Sequence, residues 1–268
     1  MMPITDQEFA LFQRFIYNAA GITLPPSKKA LVSGRLASRL RLYQIDSYGD
    51  YHRLLHDGSH PEELQVAINL LTTNETYFFR EPKHFDFLRQ QALAARGRSQ
   101  MFRVWSAASS SGEEAYSIAM VLADCLGEDR SWEVLGTDIS TRVLQGARRA
   151  HYPMERACHV PHDYLRRFCL KGQEEYQDTL LVDRSLRQRV SFRQLNLNEP
   201  LPQLGQFDLI FLRNVLIYFS NDTKRQVVAR VIAALKSGGH FLVGHSESLN
   251  DLSDAVQPLA PSIYRRHP

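Results

Sequence analysis

Two carboxylates, Glu113 and Glu114, directly follow the single glycine in VWSAASSSGEEAYSIAM (104–120). The stretch reads as the end of a buried strand, a loop of small residues and the start of an apolar-periodic helix. Open α/β sheets hold their ligands beside such a turn. A dinucleotide there needs G-x-G-x-x-G, so that backbone can approach the pyrophosphate. Ala108-Ser109-Ser110-Ser111-Gly112-Glu113 lacks that pattern. An acid about 4 Å from a phosphate charge costs roughly 1–4 kcal/mol, depending on screening. Nucleotide phosphates, and with them nicotinamide dehydrogenase chemistry, are disfavoured. S-adenosylmethionine (SAM) meets no such conflict: it has no phosphate, its sulfonium and ammonium are cations, and its carboxylate can take N–H groups at the turn. Acids in a first helical turn also complement the dipole, so the loop alone supports either reading.

Asp138 adds weight to the cofactor. It ends a second apolar run, WEVLGTD (132–138), where an acid typically accepts both ribose hydroxyls of an adenosine. It is also placed to cap the helix beginning ISTRVLQ. Loop and Asp138 together favour an adenosine-containing, phosphate-free ligand. Asn196 and Leu197 close VSFRQLN (190–196) and suit the adenine amino group and ring face. Arg213 and Asn214 end FDLIFLRN (207–214), where the methyl-bearing part belongs. Asn is common in caps and turns, so neither pair is diagnostic by itself. His240, His245 and Glu247 suggest a metal, but positions five apart on one strand point to opposite faces, so no metal site is expected.

The elements that must position these residues alternate. Short apolar runs follow one another with helices GEEAYSIAMVLADCLG, STRVLQGARRA and NDTKRQVVARVIAALKSGG between them, and HFLVGHS closes the series as a strand. This predicts βαβ units and an α/β fold with a mostly parallel sheet. Residues 151–189 break the rhythm and are expected to form a small inserted subdomain. Residues 5–70 show helical periodicity and no strand-like run, so residues 1–72 are expected to form an all-helical N-terminal domain ahead of a second domain, 73–268. Thr72-x-x-Glu75 matches a capping box.

The start, MMPITDQEFALFQRF, has neither a basic n-region nor an apolar run. FDLIFLRNVLIYF (207–219) holds Asp208 and Arg213 and is too short to span a bilayer. Cys125, Cys158 and Cys169 form no CxxC pair, which fits a reduced, cytoplasmic compartment without structural zinc. The net charge of +3 hides an asymmetry, because Phe9 to Ile45 contains no acid yet holds Arg14, Lys28, Lys29, Arg35, Arg39 and Arg41. On a 3.6-residue period Lys28, Arg35 and Arg39 fall within an arc of about 40°, beside an apolar stripe of Val32, Leu36 and Tyr43. Such a stripe is ordinarily a solvated face; a run this empty of acids also suits docking on an acidic partner helix.

TNETYFFREPKHF, VWSAASSSGEEAYSIAM, DLIFLRNVLIYF and GGHFLVGHSESL, in this order, resemble the chemotaxis protein methyltransferases. GITLPPSKKALVSGRLASRLRLYQIDSYGDYHRLL is similar to that family's N-terminal helical domain. The similarity runs from about residue 9 to the C-terminus. It implies a Rossmann-like class I SAM-dependent methyltransferase domain. The implied reaction methylates glutamate side chains on the cytoplasmic helices of bacterial chemoreceptors. Asn74, Thr76 and Arg80 would lie on a linker reaching back over SAM. Glu113 or Glu114, with Asp138, Asn196, Leu197, Arg213 and Asn214, would complete its site, and Tyr218 would stand near the transferred methyl.

Arg80 and Tyr218 would then orient the substrate carboxylate, and Lys28, Arg35 and Arg39 would dock the receptor. Some members bind a receptor C-terminal peptide on the insertion; the matching loop here, LKGQEEYQDTLLV, is acidic and has only Gly172. A regulatory protein is a further partner the resemblance leaves room for. Neither nucleic acid nor direct membrane insertion is expected. The competing class is a nucleic-acid or small-molecule methyltransferase. An amino-group enzyme of that kind carries an Asn/Asp-Pro-Pro-aromatic motif near the fourth strand, where this chain reads LRNVLIYF.

Overall fold

The computed structural model describes residues 3–127 and 131–268. Met1 and Met2, at the head of the start read above, lie outside them. α1 (Asp6–Ala20) opens on a capping box, in which the Thr5 hydroxyl accepts the Glu8 N–H and Glu8 accepts the Thr5 N–H. It ends at Gly21, whose φ of 72° favours glycine. α2 (Lys29–Leu42), α3 (Tyr48–Leu54) and α4 (Pro61–Leu71) close with α1 over Phe12, Ile16, Val32, Leu36, Leu40 and Tyr51.

Thr72-x-x-Glu75 opens no helix. Thr72 is extended and its hydroxyl donates to the Asn69 carbonyl at 3.2 Å. The carbonyls of Leu71 and Thr72, which a continuing helix would use, accept the Arg35 guanidinium at 3.2 and 3.0 Å. Residues 73–77 therefore run as an extended linker, and the next helix, α5 (Lys83–Ala94), waits until after Pro82.

The large sheet holds β1 (Phe102–Ser106), β2 (Trp132–Asp138), β6 (Val190–Gln194), β7 (Phe207–Leu212), β8 (Leu235–Val243), β9 (Val256–Ala260) and β10 (Ile263–Arg266). Their order is β6-β2-β1-β7-β8-β10-β9, and β10 alone runs opposite to the other strands. Val104 aligns with Val134 and Leu209, so one row of apolar side chains crosses three strands. That face packs on α5 and α6 (Glu113–Leu126), while Trp105, Leu135 and Ile210 face the core of α10 (Asn221–Ala233). Burial on both faces explains why these strands read as continuous apolar runs. β8 starts five residues before His240, at a register break opposite Phe207 and Leu209, and α10 stops correspondingly early.

Between α7 (Thr141–Arg149) and β6 the insertion folds as an antiparallel sheet, β3 (His151–Pro153), β5 (Thr179–Val182) and β4 (Cys169–Lys171), with α8 (His162–Phe168) and α9 (Arg184–Arg187). Tyr152, Tyr164, Phe168, Leu180 and Val182 join the core beneath α6. The helical unit seats on the carboxyl edge of the large sheet. Ile22 bridges Phe219, the Thr23 N–H donates to the Tyr218 carbonyl at 2.8 Å, and the Asn69 amide donates to the Thr141 hydroxyl at 2.9 Å. Among the described residues no helix is long and apolar enough to cross a membrane.

Candidate functional site

From β1 the chain runs outward through β2 to β6, then returns to β7 on the other side of β1. Loops leaving β1 and β7 therefore diverge, which is where open α/β sheets take ligands. A cleft of about 830 Å³ opens there, roofed by the linker. Asn74, Thr76 and Arg80 line it from the linker, Glu114 from α6, and Asp138 from the end of β2. Asn196 and Leu197 line it after β6, and Arg213, Asn214 and Tyr218 after β7.

Glu113 does not line it. Successive helical residues differ by about 100°, and only Glu114 points into the cleft. Glu113 is fully buried behind the turn, accepting the Ser111 hydroxyl at 2.6 Å and pairing with Arg156 of the insertion. Of the two acids the sequence leaves open, Glu114 is the one that lines the cleft.

Asp138 is buried, and its two oxygens accept the N–H groups of Ser140 and Ser110, each at 2.9 Å. Burial pushes its carboxyl above the ordinary aspartate value, only partly offset by those bonds. Ser110 has a left-handed φ of 49°, and its hydroxyl donates to the Asn74 carbonyl at 2.8 Å, fastening the turn to the linker. Sequence reasoning passed over Ser110. Its signal was a serine run where a dinucleotide site has glycines.

Arg213 is a structural pin as well as a lining residue. Its guanidinium donates to Glu114 at 2.8 Å, pairs with Glu81 at 2.9 Å and donates to the Arg80 carbonyl. The Asn214 N–H donates to Glu247 at 2.8 Å, which also accepts the Gly244 N–H at 2.7 Å. The Asn196 amide donates to the Ala19 carbonyl at 2.7 Å and to Glu199 at 3.0 Å, so it ties the helical unit to the sheet and leaves Leu197 as the apolar wall. Arg80 donates to the Glu75 carbonyl at 3.2 Å and lies over the Tyr77 ring.

The basic stripe differs from its expected form. Lys28 ends a 3₁₀ turn and is exposed. Arg35 holds the Leu71 and Thr72 carbonyls at the end of α4, and its guanidinium also donates to the Thr73 hydroxyl at 3.3 Å. Arg39 donates to both oxygens of Glu63, at 2.7 and 2.5 Å. Glu63 is 1% exposed and also accepts the hydroxyls of Tyr51 and Tyr43. Burial raises the Glu63 carboxyl, but these donors outweigh it and hold it below the ordinary range. Arg39 is therefore matched inside the helical unit, because a buried carboxylate needs its partner more than solvent does.

The donors that converge are not His240, His245 and Glu247 but Glu81, His84 and His245, whose ligating atoms lie within 4.8 Å of one another. Arg213 stands 2.9 Å from the Glu81 oxygen that faces both imidazoles, a cation beside the cluster. Burial, reinforced by Arg213, pushes His84 down to about 3.

The acids of this cleft fit SAM. Glu75, Glu114 and Asp138 line it against the guanidiniums of Arg80 and Arg213, an excess of one carboxylate beside apolar Leu197. The family comparisons agree. A model described as "CheR methyltransferase, SAM binding domain" matches residues 74–264, and one described as "CheR methyltransferase, all-alpha domain" matches residues 7–72. The chain is 40% identical over 262 residues to "Chemotaxis protein methyltransferase 2" of Pseudomonas aeruginosa, covering 97% of this chain and 93% of that protein. It is 41% identical to the chemotaxis protein methyltransferase of Klebsiella aerogenes, covering 98% and 90%, and 40% identical to that of Escherichia coli, covering 98% and 92%. A Rossmann-like SAM-binding domain carried behind an all-helical one, and matched along almost its whole length, places this chain in the CheR family of SAM-dependent methyltransferases.

Proposed function

We propose that this chain transfers the methyl group of SAM to glutamate carboxylates on the cytoplasmic helices of chemoreceptors, forming methyl esters. The cleft wall carries the reading. Its excess of carboxylate complements a ligand with cationic groups and would repel a phosphate. Asp138, backed by two N–H groups, accepts the ribose hydroxyls; Leu197 covers the adenine face; Glu114 accepts the ammonium.

Bound SAM supplies a methyl group activated by a sulfonium. A glutamate with a pKa near 4.3 is already ionised at neutral pH, so no strong general base is needed. The protein's task is orientation, holding one carboxylate oxygen in line with the methyl carbon. Arg80, from the linker, and Tyr218, after β7, both line the cleft and position that carboxylate. Arg80 already bonds the Glu75 carbonyl and the Tyr77 ring. It therefore attracts the substrate without forming a tight ion pair that would stabilise the ground state equally. Charges cancel on transfer, so partial enclosure of the cleft beneath the linker favours the reaction. Lys28 forms the receptor-facing edge in this reading, with Arg35 and Arg39 as internal braces.

The test is methyl incorporation from labelled SAM into receptor fragments, with DNA as a competing acceptor. Label should enter the receptor and be released by mild alkali, as carboxyl esters are. Base-stable label, or label in DNA, would refute the assignment.

A further inference from the structure

The inserted sheet reaches the cofactor turn. Tyr152, at the centre of β3, is 4% exposed, and its hydroxyl donates to the Ser111 carbonyl at 2.7 Å. Its ring stands edge-on to Phe78 at 5.1 Å, on the segment between Thr76 and Arg80. A few residues on, Arg156 pairs with buried Glu113 and donates to the Ser111 hydroxyl at 3.4 Å. Between these contacts the backbone has no slack. Gly112 has a φ of 96°, and a Cβ there would stand 2.9 Å from the Ala147 Cβ and 3.0 Å from the Tyr152 hydroxyl. On its other side the same turn gives the Ser110 N–H to Asp138 and the Ser110 hydroxyl to Asn74. The turn is thus gripped from both sides, yet neither Tyr152 nor Arg156 lines the cleft.

We propose that Tyr152 and Arg156 are positioning residues for SAM: they hold Ser111–Glu113 in the conformation that lets Ser110 and Asp138 meet the ligand, and so make the inserted sheet a working part of the cofactor site. The inference rests on SAM occupying the cleft. Without the Tyr152 hydroxyl or the Arg156 guanidinium, the turn samples other conformations, and apparent affinity falls with the competent fraction. Once SAM is bound the turn is the same in both proteins, so turnover at saturation and the Michaelis constant for receptor are spared.

The full-length chain with Tyr152→Phe, Arg156→Gln or Arg156→Lys is compared with wild type and Asp138→Asn. The measurements are calorimetry with S-adenosylhomocysteine, steady-state kinetics on receptor fragments, and thermal melting. Tyr152→Phe and Arg156→Gln should each raise Kd for the product and KM for SAM by about five- to tenfold, the size of one lost buried hydrogen bond. kcat at saturating SAM should stay within about twofold, and Arg156→Lys should recover most of the loss. Arg156 is partly exposed, so its variants keep the test open if Tyr152→Phe melts early. Unchanged Kd in both, or a fall in kcat alone, while Asp138→Asn loses binding, would overturn the proposal and leave the site intact. Wild-type binding by Asp138→Asn would remove the cleft reading and this proposal together.

Discussion

Asp138 carries opposing demands. Burial lifts its carboxyl, and the Ser140 and Ser110 N–H groups pull it only part of the way back. In the proposed reading the ionised form accepts the ribose hydroxyls. Affinity for S-adenosylhomocysteine should therefore fall as pH drops, on a limb centred above the ordinary aspartate value of about 3.9. Calorimetry between neutral and mildly acid pH checks this, and Asp138→Asn should flatten the limb and weaken binding by about tenfold or more. Tyr218 lines the same cleft, and its backbone already ties to Thr23. Tyr218→Phe keeps that tie, so product affinity should hold while kcat on receptor falls about tenfold or more, as expected on losing a group that orients the reacting carboxylate.

At the scale of one element, α2 shows how a charged stripe divides its labour. Arg39→Ala should cost about 3–5 kcal/mol in denaturant unfolding, because it strands the buried Glu63 carboxylate. Lys28→Glu should leave stability within about 0.5 kcal/mol, as surface changes do, and raise the receptor KM severalfold with SAM affinity unchanged. Glu63 is held below its ordinary value despite burial, chiefly by Arg39 and Tyr51. The stability it adds is present above its unfolded pKa, about 4.3, and lost as pH falls through the lower folded value. Acid unfolding followed by circular dichroism should show that loss, and Glu63→Gln should remove its pH dependence. The stripe itself was legible, since Lys28, Arg35 and Arg39 recur at helical spacing. Their direction was not. Arg35 and Arg39 sit next to Val32 and Leu36, whose burial pulls long side chains at the stripe's edge inward.

Across the whole molecule, function depends on two units meeting over one sheet edge. A Cβ at Gly21 would come within 2.8 Å of Thr223 and 2.9 Å of Asn198, which shows how closely α1 is seated. The linker at 73–77 roofs the cleft between them, so a ligand beneath it should slow amide exchange at Asn74 and Thr76. With S-adenosylhomocysteine at a hundredfold excess over Kd, the slowing should approach about a hundredfold if exchange requires release. Unaltered exchange would mean the linker does not cover the ligand. The strand ends bearing Asp138, Leu197 and Arg213 could be found from sequence alone, because strands buried on both faces are continuous apolar runs and their carboxyl ends share one edge of a parallel sheet. The ligand's charge was legible for the same local reason, an acidic pair in a turn with one glycine. Which acid enters the cleft, which arginine is neutralised and which amide is already bonded were decided by tertiary structure. Those answers belong to Arg156, Glu63 and Ala19, residues 43, 24 and 177 positions away in the chain, and no local pattern encodes a partner met only when distant elements pack together.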